Sequence, residues 1–183
     1  MTILHIDASI NGENSASRAI SRSIVERMRN SDPDPQVIYR DLAAHPLPHL
    51  TLEAFADTSV LDEFLSADAV VIGAPMYNFT LPTQLKAWID RILVAGRTFR
   101  YTTDGPEGLA GGRRVIIALA RGGIYDAGSP AASLEHLESY LRGIFNFIGI
   151  EPEFVAADGL NFGAEQRDQS IRDALGETVR LAA

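Results

Sequence analysis

Three short stretches carry residue types that could act together on one ligand. The first, Asp7 to Arg18 (DASINGENSASR), offers the hydroxyls of Ser9, Ser15 and Ser17 just ahead of a helical pattern. Short donors beside the free N–H groups of a helix N-terminus are what a phosphate dianion needs. A simpler alternative is that Ser15 or Asn14 only caps the helix. The second stretch is Pro75-Met76-Tyr77-Asn78-Phe79. Its thioether and rings suit the face of a planar system such as a flavin, and the Asn78 amide suits an edge. The competing reading is a plug over the core, against which a buried Asn78 would need partners. In the third, Ala120-Arg121-Gly122-Gly123, the glycine pair would let backbone N–H groups approach a ligand closely. Neither a P-loop nor a GxGxxG turn is present, which argues against ATP and against a dinucleotide bound in Rossmann fashion.

Other chemistry is excluded or disfavoured. The 183 residues include no cysteine, so thiolate nucleophiles, iron–sulfur clusters and disulfides are ruled out. His5, His45, His49 and His136 have no metal-ligand spacing, and no metal is expected. His5 reads as a satisfied histidine inside a strand. Asp7 lacks the acidic neighbours of a phospho-acceptor site, and Asp62, Glu63 and Asp68 read as a solvated helix face. A net charge of −8 disfavours nucleic acid and anionic membranes as partners. No apolar run approaches the ~20 residues that span a bilayer. The opening MTILHIDAS lacks a basic leader pattern, so the expected location is cytoplasmic.

The elements that must position these loops follow from hydrophobic periodicity. Apolar runs at Ile3–Ala8, Gln36–Arg40, Ala69–Ala74, Val115–Ala120 and Glu153–Ala157 alternate with helical patterns. The near-continuous Val70-Val71-Ile72 and Val115-Ile116-Ile117 suit strands buried on both faces of a parallel sheet. Helices are expected around Ile20–Met28, from Pro82 to before Gly96, from Ser129-Pro130 to Gly149, and over Glu165–Val179. Ala43–Leu52 reads as a connection before a short helix. Thr98–Gly112 reads as an excursion turning at Asp104-Gly105. The expectation is an α/β three-layer sandwich with a five-stranded parallel sheet, residues 1–183 forming one domain. In such sheets ligands bind beyond the carboxyl ends of the strands, which is where the three stretches fall.

With these pieces assembled, the sequence resembles the FMN-dependent NADH:quinone oxidoreductases known as azoreductases. The likeness runs from the first strand to the last helix. It is carried by Pro75–Phe79, by Pro82-Thr83-Gln84-Leu85-Lys86 with Trp88-Ile89-Asp90, by Thr98–Thr102 with Gly105–Leu109, and by Arg121-Gly122-Gly123. The resemblance implies a flavodoxin-like fold, one FMN per subunit, and a homodimer with sites at its interface. It assigns the phosphate to Ser9 and Ser15-Ala16-Ser17. It sets Pro75, Met76, Tyr77, Asn78 and Phe79 along the ring, and Ala120, Arg121, Gly122 and Gly123 along another edge. Relatives often carry serine at the position of Ala120, so any side-chain bond there is absent in this chain. Asn78, Phe99, Tyr101, Tyr125 and Phe147 match positions near the substrate, some reaching the partner's site; Phe147 also suits plain core packing. The implied reaction passes two electrons from NADH or NADPH to a small quinone or, in repeated cycles, an azo compound. It would be ping-pong, with the flavin N5 carrying the hydride and no catalytic side chain. The alternatives are a flavodoxin-like electron carrier and a reductase supplying reduced FMN to a partner enzyme.

Overall fold

The computed structural model describes residues 1–181. Five strands form one parallel sheet: β1 (Thr2–Asp7), β2 (Gln36–Asp41), β3 (Ala69–Pro75), β6 (Arg114–Ala120) and β7 (Glu153–Ala157). The spatial order is β2-β1-β3-β6-β7. From β1 the chain winds outward to β2, then returns to the other side of β1 for β3. The order therefore reverses between β1 and β3, leaving a crevice beyond their carboxyl ends.

Every residue of β3 is buried, as its unbroken apolar run requires. Successive side chains point to opposite faces, which splits the core in two. Leu4, Ile6, Val70, Ile72, Val115, Ile117 and Leu119 pack on one side, with α3 (Ser59–Ser66), α4 (Thr83–Ile92) and α5 (Glu138–Phe147). Ile3, Val71, Ile116, Ala118 and Val155 pack on the other, against α1 (Ala16–Asn30) and α6 (Ala164–Leu181). In α4 the i, i+3, i+4, i+7 set Leu85, Trp88, Ile89 and Ile92 is fully buried, each side chain contributing about 1.5–3 kcal/mol. The short α2 (Leu52–Ala56) is capped by the Thr51 hydroxyl, which accepts from the Ala54 N–H. No described helix is long and apolar enough to cross a membrane.

The excursion is an antiparallel hairpin of β4 (Phe99–Thr102) and β5 (Gly105–Gly108). It turns at Thr103-Asp104, with Gly105 taking a positive φ of 118° as the second strand begins. A Cβ at Gly108 would lie 2.1 Å from the Gly149 nitrogen, so only glycine lets the hairpin seat on the end of α5.

Two expectations are corrected. The helix expected from Ser129-Pro130 begins at Glu138, after an irregular stretch with one 3-10 turn at Ala132–Leu134. Glu135 sets the new start: its carboxylate accepts from the N–H groups of Leu137, Glu138 and Ser139, satisfying the first-turn donors. Asp68 is not on a helix. It precedes β3 and accepts from the Thr2 N–H at 2.7 Å, while Asp62 and Glu63 pair with Arg97 and Arg40.

Candidate functional site

The loops after β1, β3, β6 and β7 enclose a cavity of about 230 Å³. Its lining is Ser9, Asn11, Asn14, Ser15 and Ala16; Pro75, Met76 and Tyr77; Ala120 and Gly122; and Leu160, Asn161 and Arg167. Larger surface clefts of about 480 Å³ and 360 Å³ lie beside α6 and α1, but each draws on one helix and its flank. The smaller cavity gathers four strand-end loops.

Ser15 is the N-cap of α1, its Oγ accepting from the Arg18 N–H at 3.3 Å. Capping and pocket lining are thus one role. The N–H groups of Ala16 and Ser17 find no acceptor among the described residues, as expected of a first helical turn. Ser17 is fully buried with its Oγ 3.1 Å from that of Ser15, so it stands behind the lining. Ser9 is held on two sides. The Tyr77 hydroxyl lies 3.3 Å from its Oγ and accepts from the Ile10 N–H at 3.1 Å. Arg18 donates from Nε and Nη2 to the Ser9 carbonyl at 3.2 and 2.8 Å.

Behind this loop is a buried charge cluster. Arg18 forms a bidentate pair with Asp41 at 2.7 and 2.8 Å. That hydrogen bonding holds the Asp41 carboxyl down at about 2. Asp7 accepts from Ser21 and Tyr39. Burial would push its carboxyl up, but His5, Ser21 and Arg18 together bring it below the ordinary value. Burial and the nearby Asp7 push the Tyr39 phenol up to about 12. His5 is satisfied by Ser21 at 3.0 Å, as its sequence context suggested. A Cβ on Gly73 would meet Asp7 Oδ1 at 2.3 Å, so this glycine makes room for the carboxylate.

After β3, Tyr77 and Thr80 exchange backbone hydrogen bonds across Asn78 and Phe79, whose φ values are 47° and 73°. Two consecutive left-handed residues define the tight two-residue turn that usually takes Asn-Gly. Here a phenylalanine holds the glycine position at a backbone cost of about 1–2 kcal/mol. The turn is tied to the segment before α5 by the His136 N–H to the Phe79 carbonyl at 3.0 Å. Asn78 is exposed, which corrects the idea that burial of its amide distinguishes this loop; turn geometry accounts for it. Asn78 and Phe79 flank the cavity rather than line it.

After β6, the Arg121 side chain turns inward to Asp158 at 2.6 and 2.8 Å and to Glu138 at 3.3 Å. Its N–H also donates to Ala157, so Arg121 is a strut and not a lining group. Gly122 lines the cavity, and Gly123 lies next to it. Neither N–H has a partner among the described residues, as a ligand-facing role requires. The loop after β7 was not anticipated. Gly159, Leu160 and Asn161 donate backbone bonds to Gly123, Arg121 and Gly122, respectively. A Cβ on Gly122 would meet the Asn161 amide at 2.3 Å.

The expected substrate residues separate into two aromatic groups. Phe79 and Tyr125 face each other edge-on at 6.5 Å beside the cavity. Phe99 contacts Phe147 at 4.7 Å and Tyr101 at 5.6 Å, forming a second group where the hairpin meets α5.

The family model of the flavodoxin-like fold matches residues 1–181. The chain is 51% identical to FMN-dependent NADH:quinone oxidoreductase 2 of Bradyrhizobium diazoefficiens, all of both chains being covered. It is 52% identical to an FMN-dependent NADH:quinone oxidoreductase of Methylorubrum extorquens, again over the whole of both. The chain belongs to the FMN-dependent NADH:quinone oxidoreductase family. Among solved structures, an azoreductase from Bacillus anthracis is 29% identical with a TM-score of 0.91, covering 100% of this chain and 98% of that one. An FMN-dependent NADH-azoreductase from the same species, in complex with FMN, is 25% identical with a TM-score of 0.85, covering 100% and 99%.

The lining meets what the family's cofactor requires. Hydroxyls and free N–H groups at α1 suit a phosphate, Met76, Tyr77 and Leu160 offer apolar contact, and Gly122 with Asn161 offers polar groups at an edge.

Proposed function

We propose that this chain is an FMN-dependent oxidoreductase that takes electrons from NADH and delivers them to quinones and azo compounds. The observation that carries the reading is the single cavity in which the donors of α1 meet the apolar Pro75–Tyr77 segment and the side-chain-free edge at Gly122. When bound there, FMN supplies two-electron transfer between NADH and a quinone, or an azo bond in repeated rounds. Ser9, Ser15, Ala16 and Ser17 hold its phosphate end, with Ser17 acting through Ser15. Pro75 to Phe79 lie along the ring, and Ala120, Gly122 and Gly123 border an edge, braced by Arg121. N–H donors aimed at that edge stabilise negative charge there. No side chain serves as nucleophile.

Asn78, Phe79 and Tyr125 border the entrance and position NADH and the acceptor in turn, which gives ping-pong kinetics. Phe99, Tyr101 and Phe147 project from the hairpin and α5 toward the site of a second copy in a homodimer. Residues 1–183 work as one domain in the cytoplasm. The test is anaerobic stopped-flow mixing of FMN-loaded protein with NADH and then benzoquinone. Bleaching of the flavin band by NADH, reversed by quinone in one two-electron phase, is expected; no bleaching by NADH overturns the reading.

A further inference from the structure

Arg167 stands on α6, far along the chain from the serine loop, yet it lines the same cavity. Its Nη2 donates to the Asn14 carbonyl at 2.8 Å, one residue before the Ser15 cap. That is the only hydrogen bond of its side chain among the described residues, and it makes no ion pair there, so most of its fork is free. It is the one cation in the cavity lining. Arg18 is close behind the loop, but its charge is matched by Asp41 and faced by Asp7 at 3.9 Å. One guanidinium and two carboxylates therefore stand behind the serines, in a chain of net charge −8. An incoming phosphate dianion meets a negative background that hydroxyls and a helix dipole alone offset weakly. Glu165 and Asp168, the carboxylates nearest Arg167 in sequence, are exposed and do not line the cavity.

We propose that Arg167 is the cation that neutralises the FMN phosphate, and that it selects the phosphorylated flavin against riboflavin. The inference rests on the FMN reading above and adds a residue to it. A guanidinium tethered to the Asn14 carbonyl is already oriented at the anion loop, so little side-chain freedom is lost on binding.

The experiment titrates flavin-free protein with FMN and separately with riboflavin, following fluorescence quenching, for wild type, Arg167→Gln and Arg167→Lys. Arg167→Gln should weaken FMN roughly 10- to 100-fold while riboflavin changes less than about 2-fold. Arg167→Lys should recover part of the FMN affinity, since it restores charge without the fork. Wild-type FMN affinity should fall more steeply with salt than that of Arg167→Gln. A parallel loss of both ligands, or no change in their ratio, overturns the role of Arg167 and leaves the FMN reading standing. A wild type that binds neither flavin overturns both.

Discussion

Tyr77 joins two loops with one oxygen, touching Ser9 Oγ at 3.3 Å and accepting from the Ile10 N–H at 3.1 Å. Because these bonds shape the serine loop, Tyr77→Phe should weaken FMN binding roughly 5- to 20-fold, about 1–2 kcal/mol. The melting temperature should change little, since the hydroxyl is only part-buried; flavin titration and a thermal melt check both. The Arg18–Asp41 pair makes a separate statement about acid. Asp41 titrates at about 2 in the fold, below its ordinary 3.8. A depressed folded value means stabilisation that is complete above about pH 4 and lost as pH falls through about 2. The size is about 2 kcal/mol, the side chain being only 19% exposed. Denaturant unfolding between pH 5 and 2 should show this slope in wild type, and Asp41→Asn should flatten it while lowering stability at pH 7.

At the scale of elements, the hairpin and the end of α5 depend on one missing side chain. Gly108→Ala would drive a methyl to within 2.1 Å of the Gly149 backbone, which cannot yield as a flexible side chain could. It should cost about 3 kcal/mol or more, and limited proteolysis should cut first within β4–β5. Elements of this kind differ in how far their residues announce them. The three central strands were legible because burial on both faces demands unbroken runs such as Val70-Val71-Ile72. The start of α5 was not, because its cap is a glutamate side chain folding back from Glu135, whereas Ser129-Pro130 has the usual chemistry without the helix. Of the site, the loops after β1, β3 and β6 could be read from serines, aromatics and paired glycines. The loop after β7 has one phenylalanine, Phe162, and two separated glycines but no serine and no glycine pair, and its place follows from backbone pairing with residues distant in sequence. Arg167 was hidden for a related reason: on a solvated helix face an arginine has no pattern that separates it from its neighbours.

For the whole molecule, several large apolar side chains stay in solvent on the loops and hairpin, among them Ile10, Phe79, Tyr101 and Ile124. Tyr101, at the tip of the hairpin, is 76% exposed. A two-fold partner covering the hairpin would bury it and bring the Phe99–Phe147 group toward the second site. Light scattering should therefore give about twice the 19.9 kDa chain mass. Tyr101→Glu should shift the mass toward that of one chain and lower quinone turnover with it. A wild type that stays at the single-chain mass across micromolar concentrations removes the dimer and the interface role of these aromatics.

Three backbone hydrogen bonds from Gly159, Leu160 and Asn161 tie the loop after β7 to the loop after β6, just past the carboxyl ends of both strands. One wall of the cleft is therefore held by main-chain bonds, which no side-chain substitution removes directly. The opposite wall, residues 10–14, is fastened to its neighbours by a phenol at Ile10 and a guanidinium at Asn14. That wall depends on two side-chain latches, so removing either should shorten the residence time of a bound cofactor, read as a faster FMN off-rate.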